Sequence, residues 1–180
     1  MPISWYMKYT VNNIRKSSLT VKDVAVLGLM VASIEAGKLA LAVFPNVEIV
    51  TLLIILYTIF YGSKTLIAVF AFVGVECLIW GVQLWTIMYL YIWPLLCILV
   101  LIFRKNKSVW FNSILSGVFG LAFGALCSIP YFFIGGIRTA LTWWIAGIPF
   151  DLVHGISNFI LCLLLFVPLN KTLDRIKQTL

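Results

Sequence analysis

Long apolar stretches recur along this chain, broken only by short polar or Gly- and Pro-containing segments, and nothing else constrains its fold as strongly. They run roughly over Val24–Phe44, Val47–Tyr61, Thr65–Trp80, Trp85–Phe103, Trp110–Ile134 and Phe150–Val167. Of 180 residues, 63% are hydrophobic and 11% charged. A soluble domain of this size has too much surface for its volume to hide so much apolar area. Hydrocarbon suits it, since about 20 apolar residues in a helix cross a bilayer and a helix satisfies its own backbone polar groups. The expected fold is therefore an all-α integral membrane protein, with six transmembrane helices in one bundle over residues 23–180. Residues 1–22 form a cytoplasmic arm before it. The second and third spans are shorter than usual, and residues 135–149 form a loop rich in Gly, Trp and Pro.

The net charge is +7, but its position matters more than its sum. With the N-terminus inside, Lys8, Arg15, Lys16, Lys22, Lys64, Arg104, Lys105, Lys107, Lys171, Arg175 and Lys177 all fall on the inner side, against Arg138 outside and Lys38 within the first span. Cytoplasmic loops concentrate Lys and Arg, so both termini are expected in the cytoplasm of a multi-pass cell-membrane protein. No water-facing basic domain exists to bind nucleic acid. Residues 1–22 lack the apolar core of a cleavable signal. Thr20 or Asp23 is the expected cap of the first helix.

Cys77, Cys97, Cys127 and Cys162 each lie in a separate apolar run without metal-ligand spacing. They read as small buried hydrophobes, and neither metal nor cofactor is expected.

Two ladders of small residues recur every four positions: Gly28, Ala32, Ala36 and Ala40 in the first span, and Ser116, Gly120, Gly124 and Ser128 in the fifth. Such a face lets a second helix approach closely. Each ladder admits two readings, packing inside the bundle or docking on another membrane subunit.

Ionisable residues in spans mark sites or pathways unless they are neutralised. Glu35 and Lys38 are three apart and can pair on one helix face. Glu48 opens the second span, where a carboxylate complements the helix dipole. Glu76 has no sequence-local partner. Asp151, His154 and Asn158 share one face of the sixth span, with Asp151 also readable as a helix-start residue after Pro149. Trp85, Tyr89 and Trp93 form an aromatic stripe on the fourth span. An interfacial aromatic belt explains Trp85, Trp143 and Trp144. Trp93, two turns deeper, suits a stacking surface for a flat ligand. Apart from Glu35 and Lys38, these groups gather toward the outer side, which suggests an outward-facing cup with a closed floor rather than a channel.

Four segments carry a family resemblance: Ala32-xxx-Ala36-xxx-Ala40; Pro45-Asn46-Val47-Glu48; Leu84-Trp85 through Tyr89-Leu90-Tyr91-Ile92-Trp93; and Gly147-Ile148-Pro149-Phe150-Asp151-Leu152-Val153-His154-Gly155 followed by Asn158. Over roughly residues 23–175 the chain resembles the substrate-binding S components of energy-coupling factor (ECF) type ABC transporters, which take up vitamins. The resemblance implies a membrane-embedded subunit that captures a small water-soluble vitamin, vitamin precursor or nucleoside-like heterocycle from outside for ATP-driven uptake. It implies as partners a transmembrane coupling subunit, docked on Gly28, Ala32, Ala36 and Ala40, and two cytoplasmic ATPase subunits. The chain has no phosphate-binding loop of its own and is not expected to be an enzyme. The substrate residues implied are Asn46, Glu48, Glu76, Trp85, Tyr89, Trp93, Asp151, His154 and Asn158.

Glu48, Glu76 and Asp151 against Arg138 disfavour a polyanionic ligand. A neutral or weakly cationic nitrogen heterocycle fits better, either a pyrimidine or pyridine precursor or a nucleoside-like compound, with cobalamin also open. The alternatives are a membrane-embedded enzyme using Asp151 and His154 as an acid–base pair and a stand-alone transporter.

Overall fold

Residues 19–179 are described by the computed structural model; Lys8, Arg15 and Lys16 of the expected arm lie outside them. The described residues form six helices and no strand: α1 Val21–Leu41, α2 Val50–Tyr61, α3 Lys64–Trp80, α4 Leu84–Ile102, α5 Val109–Cys127 and α6 Ile129–Thr179. Four of them, α1, α4, α5 and α6, are long and apolar enough to cross a membrane.

Local chemistry sets most of the boundaries. Thr20 caps α1 in a capping box, accepting from the Asp23 N–H while Asp23 accepts from the Thr20 N–H, both at 3.1 Å. This places two orphan donors of the first turn on side chains, and α1 starts at Val21 rather than Val24. Gly62 (φ 64°) ends α2 and Gly81 (φ 80°) ends α3 in backbone conformations that disfavour a side chain. Gln83 then caps α4.

The short α2 is the axis of the bundle. Every residue from Val50 to Phe60 is buried, and α2 touches each of the other five helices. A helix that is apolar all round belongs in a core or in lipid, and this one, about 18 Å long, is enclosed by the other five. Its two ends are held by opposite charges. Glu48 accepts from the Thr51 N–H at 2.9 Å at the start. At the finish, Arg104 Nε donates to the Ile59 carbonyl at 3.0 Å and Lys177 Nζ to the Phe60 carbonyl at 3.1 Å. Both ends thus complement the helix dipole.

The same contacts gather the basic segments at one end of the bundle. Lys107 and Lys177 lie over the Phe60 ring, and Lys64 pairs with Asp23 at 2.5 Å. The N-terminus of α1, the α2–α3 turn, the end of α4 and the tail of α6 therefore meet there.

The two ladders have different fates. In α5, Ser116, Gly120 and Gly124 are buried. A Cβ on Gly120 would sit 2.9 Å from Gly155 Cα, so absent side chains let α5 and α6 pack backbone to backbone. In α1, Gly28, Ala32, Ala36 and Ala40 are all exposed, and a Cβ on Gly28 would meet nothing within 4 Å among the described residues.

The larger departures from the sequence expectation lie in the last two spans. The fifth span ends at Cys127, not Ile134, and Pro130 sits in the first turn of α6, where its missing N–H breaks no helical bond. Residues 137–149 are helix rather than loop; the break in α6 is confined to Gly135 and Gly136 (φ 74°). Asp151 is consequently mid-helix and not a start residue. Pro168 does not close the last span, because α6 runs on to Thr179.

Candidate functional site

At the end of the bundle opposite the basic cluster, α1 and α2 are joined by residues 42–49, with Asn46 in the left-handed region (φ 59°). That turn is tied to α6 by Ser157 Oγ, which donates to the Asn46 carbonyl at 3.1 Å. It brings Glu48 against the polar face of α6. Glu48 Oε1 lies 3.1 Å from His154 Nε2 and accepts from Asn158 Nδ2 at 2.7 Å and Thr51 Oγ1 at 2.5 Å. One carboxylate thus gathers three side chains from two helices. Asp151, one turn from His154, accepts from the Gly124 N–H at 2.9 Å. A side chain at position 124 would collide with that carboxylate, so the glycine of α5 makes room for the acid of α6.

The aromatic stripe of α4 is continuous. Trp85 and Tyr89 pack edge to face with centroids 5.2 Å apart, and Tyr89 and Trp93 do the same at 5.3 Å. It continues across the bundle from Trp93 to Phe123 at 5.5 Å and from Phe123 to His154 at 4.8 Å. These are the offset and edge-on arrangements that aromatic quadrupoles favour.

Two adjoining chambers open between these groups. One, of about 340 Å³, is walled by Lys38, Asn46, Glu48, Tyr89, Trp93, Phe123 and His154 together with apolar residues of the α1–α2 turn. The other, of about 410 Å³, is walled by Asn46, Phe123, Gly124, Cys127, Trp143, Phe150, Asp151 and His154. They share Asn46, Phe123 and His154. Their volumes fall within the range of small-molecule sites, and their walls combine apolar surface with a few convergent polar groups.

Six of the nine sequence-predicted substrate residues line these chambers: Asn46, Glu48, Tyr89, Trp93, Asp151 and His154. Three stand behind the wall. Asn158 is buried beneath Glu48, and Trp85 ends the stripe with its N–H on Gln83 at 2.9 Å. Glu76 is fully buried and forms an ion pair with Lys38. That pair replaces the expected one: Lys38 bonds across to α3 instead of to Glu35 on its own helix, and Glu35 Oε1 is left without a partner among the described residues. Lys38 also lies 5.3 Å from the Trp85 ring centre and 5.9 Å from that of Tyr89, where a cation is attracted to the ring faces.

Lys38, Phe123 and Trp143 are wall residues that sequence reasoning did not assign to the site. For Phe123 a signal existed: it adjoins Gly124 on the ladder whose close approach to α6 carries it to His154. Trp143 falls in the loop that Gly and Pro content predicts, whereas its helix stacks it on Tyr131 with centroids 4.8 Å apart.

Four of the nine sequence-predicted residues have a buried polar atom with no hydrogen-bond partner among the described residues: Glu76 Oε1, Trp93 Nε1, Asp151 Oδ2 and Asn158 Oδ1. Buried polar groups are normally satisfied, so each of these has bonding capacity left for a bound molecule or water. No group of three or more His, Cys, Asp or Glu side chains that could hold a metal ion occurs among the described residues. No protein-family model, curated protein or solved structure matches this chain.

Proposed function

We propose that this chain is the membrane-embedded substrate-binding subunit of an ECF-type ABC transporter. In this reading it spans the membrane six times with both termini in the cytoplasm, and captures a small water-soluble heterocycle from outside. The observation that carries it is the pair of polar-and-aromatic chambers at one end of a bundle whose axis, α2, is buried from Val50 to Phe60. Such a cup receives a ligand and offers it no aqueous path onward. Transport then needs a partner and an energy source, as the family resemblance implies.

Two further features support the reading. The basic residues gathered around Phe60 lie at the end away from the chambers, which the positive-inside rule assigns to the cytoplasm. The exposed face of Gly28, Ala32, Ala36 and Ala40 offers a transmembrane coupling subunit a smooth surface of close approach, and the ATPase subunits act through that partner. The enzyme alternative draws less support. Asp151 accepts from the Gly124 N–H and His154 faces Glu48, so the two side chains do not hydrogen-bond each other.

Mass spectrometry of small molecules released from the detergent-purified protein, followed by a Trp-fluorescence titration of any hit, tests the proposal. A stoichiometric heterocycle that perturbs the fluorescence of the stripe is the expected outcome. A protein that arrives empty and ignores vitamins, their precursors and nucleosides alike overturns it.

A further inference from the structure

Three carboxylates near the outer end, Glu48, Glu76 and Asp151, look equivalent in sequence as attractors of a cationic ligand. Their surroundings separate them. Glu76 is matched by Lys38. Glu48 is engaged by Thr51, His154 and Asn158. Glu76 Oε1 and Asp151 Oδ2 are both buried and without a partner among the described residues, but of the two residues only Asp151, 7% exposed, lies in a chamber wall. In the adjoining chamber the Trp93 indole N–H, 2% exposed, is a donor in the same condition.

An acceptor at one side and a donor at the other, with aromatic walls at Phe123, Tyr89 and Trp93 between and around them, define a ligand of matching polarity. We infer, on the strength of the binding-subunit reading above, that the ligand is a flat heterocycle of one or two rings. Its amino or ammonium group donates to Asp151 Oδ2, and a ring nitrogen or carbonyl accepts from Trp93 Nε1. Glu48 is then a strut that holds His154 and Asn158, not a ligand contact. Chambers of about 340 and 410 Å³ suit a ligand of that size and not a corrinoid. A carboxylate-bearing ligand meets Asp151 as a like charge and is rejected.

The test is a thermal-shift and Trp-fluorescence titration of the full chain in detergent with cytidine and an aminopyrimidine, uridine, orotate and cyanocobalamin as probes. It is repeated on Asp151→Asn and Trp93→Phe. Asparagine keeps an oxygen for the Gly124 N–H and phenylalanine keeps the ring stack, so both variants retain the fold. Binding confined to the amino-bearing probes, and weakened about ten- to a hundredfold in Asp151→Asn as expected for a lost charged hydrogen bond, supports the inference. Preference for uridine, orotate or cyanocobalamin, or amino-probe affinity that Asp151→Asn leaves unchanged, overturns it while the binding-subunit reading stands. Binding of none of the probes at millimolar concentration overturns the inference, and the binding-subunit reading falls with it when the wider panel of vitamins, precursors and nucleosides is ignored as well.

Discussion

Glu48 and His154 are separated by 106 positions, yet Glu48 Oε1 and His154 Nε2 lie 3.1 Å apart. This contact closes the α1–α2 turn onto α6 and builds the shared wall of both chambers. It makes Glu48 a structural centre as well as a site residue, because Asn158 and Thr51 donate to the same carboxylate.

Truncating Glu48 takes the acceptor from four donors in a buried place: the Thr51 N–H and hydroxyl, His154 and Asn158. Glu48→Ala is expected to destabilise the bundle by about 1–3 kcal/mol, the range for leaving buried hydrogen-bonding groups unsatisfied. Glu48→Gln, which keeps one acceptor, loses less. Thermal unfolding in detergent checks the order; equal melting temperatures for wild type and Glu48→Ala would remove the strut role.

The two small-residue ladders respond oppositely to bulk. Gly120→Leu drives a side chain into Gly155 and the backbone at His154, and the overpacking is expected to cost about 1–3 kcal/mol or more. Gly28→Leu meets open space and leaves the stability unchanged within about 0.5 kcal/mol, as surface substitutions do. A reversal of that order would exchange the two assignments.

Ala32→Leu and Ala36→Leu alter only an exposed face. Ligand affinity is expected to persist while co-purification with a coupling subunit and ATP-driven uptake fail. Lost affinity in these variants would sink the docking assignment.

Lys38 and Glu76 form an ion pair whose acid is fully buried. Lys38→Met alone leaves a buried carboxylate uncompensated and is expected to destabilise by more than about 1 kcal/mol, whereas the double variant with Glu76→Met recovers most of the loss. A double-mutant cycle in detergent gives the coupling; additive effects would mean that the two side chains do not pair.

His154→Ala removes a wall common to both chambers, so affinity for any ligand identified should fall by tenfold or more, about 1.4 kcal/mol, with the bundle still folded. Unchanged affinity would move the site elsewhere.

What the sequence by itself determined is what depends on near neighbours and on solvent. Apolar run length specified helices, four of them long and apolar enough to cross a membrane. The spacing of Asp151, His154 and Asn158 put them on one face, and that of Trp85, Tyr89 and Trp93 made a stripe, because helical periodicity ties positions three and four apart. What tertiary structure decided is which faces meet. Two ladders with the same four-residue spacing ended one inside and one outside, since only the α5 ladder lies against a helix, α6, whose Gly155 permits contact. Lys38 chose Glu76 over Glu35 because α3 packs against α1 and brings that carboxylate within its reach, and a partner on another helix has no signature in local spacing. Residues 137–149 read as a loop from their Gly and Pro content, but Gly147 and Pro149 are carried within a continuing helix, where packing overrides local preference.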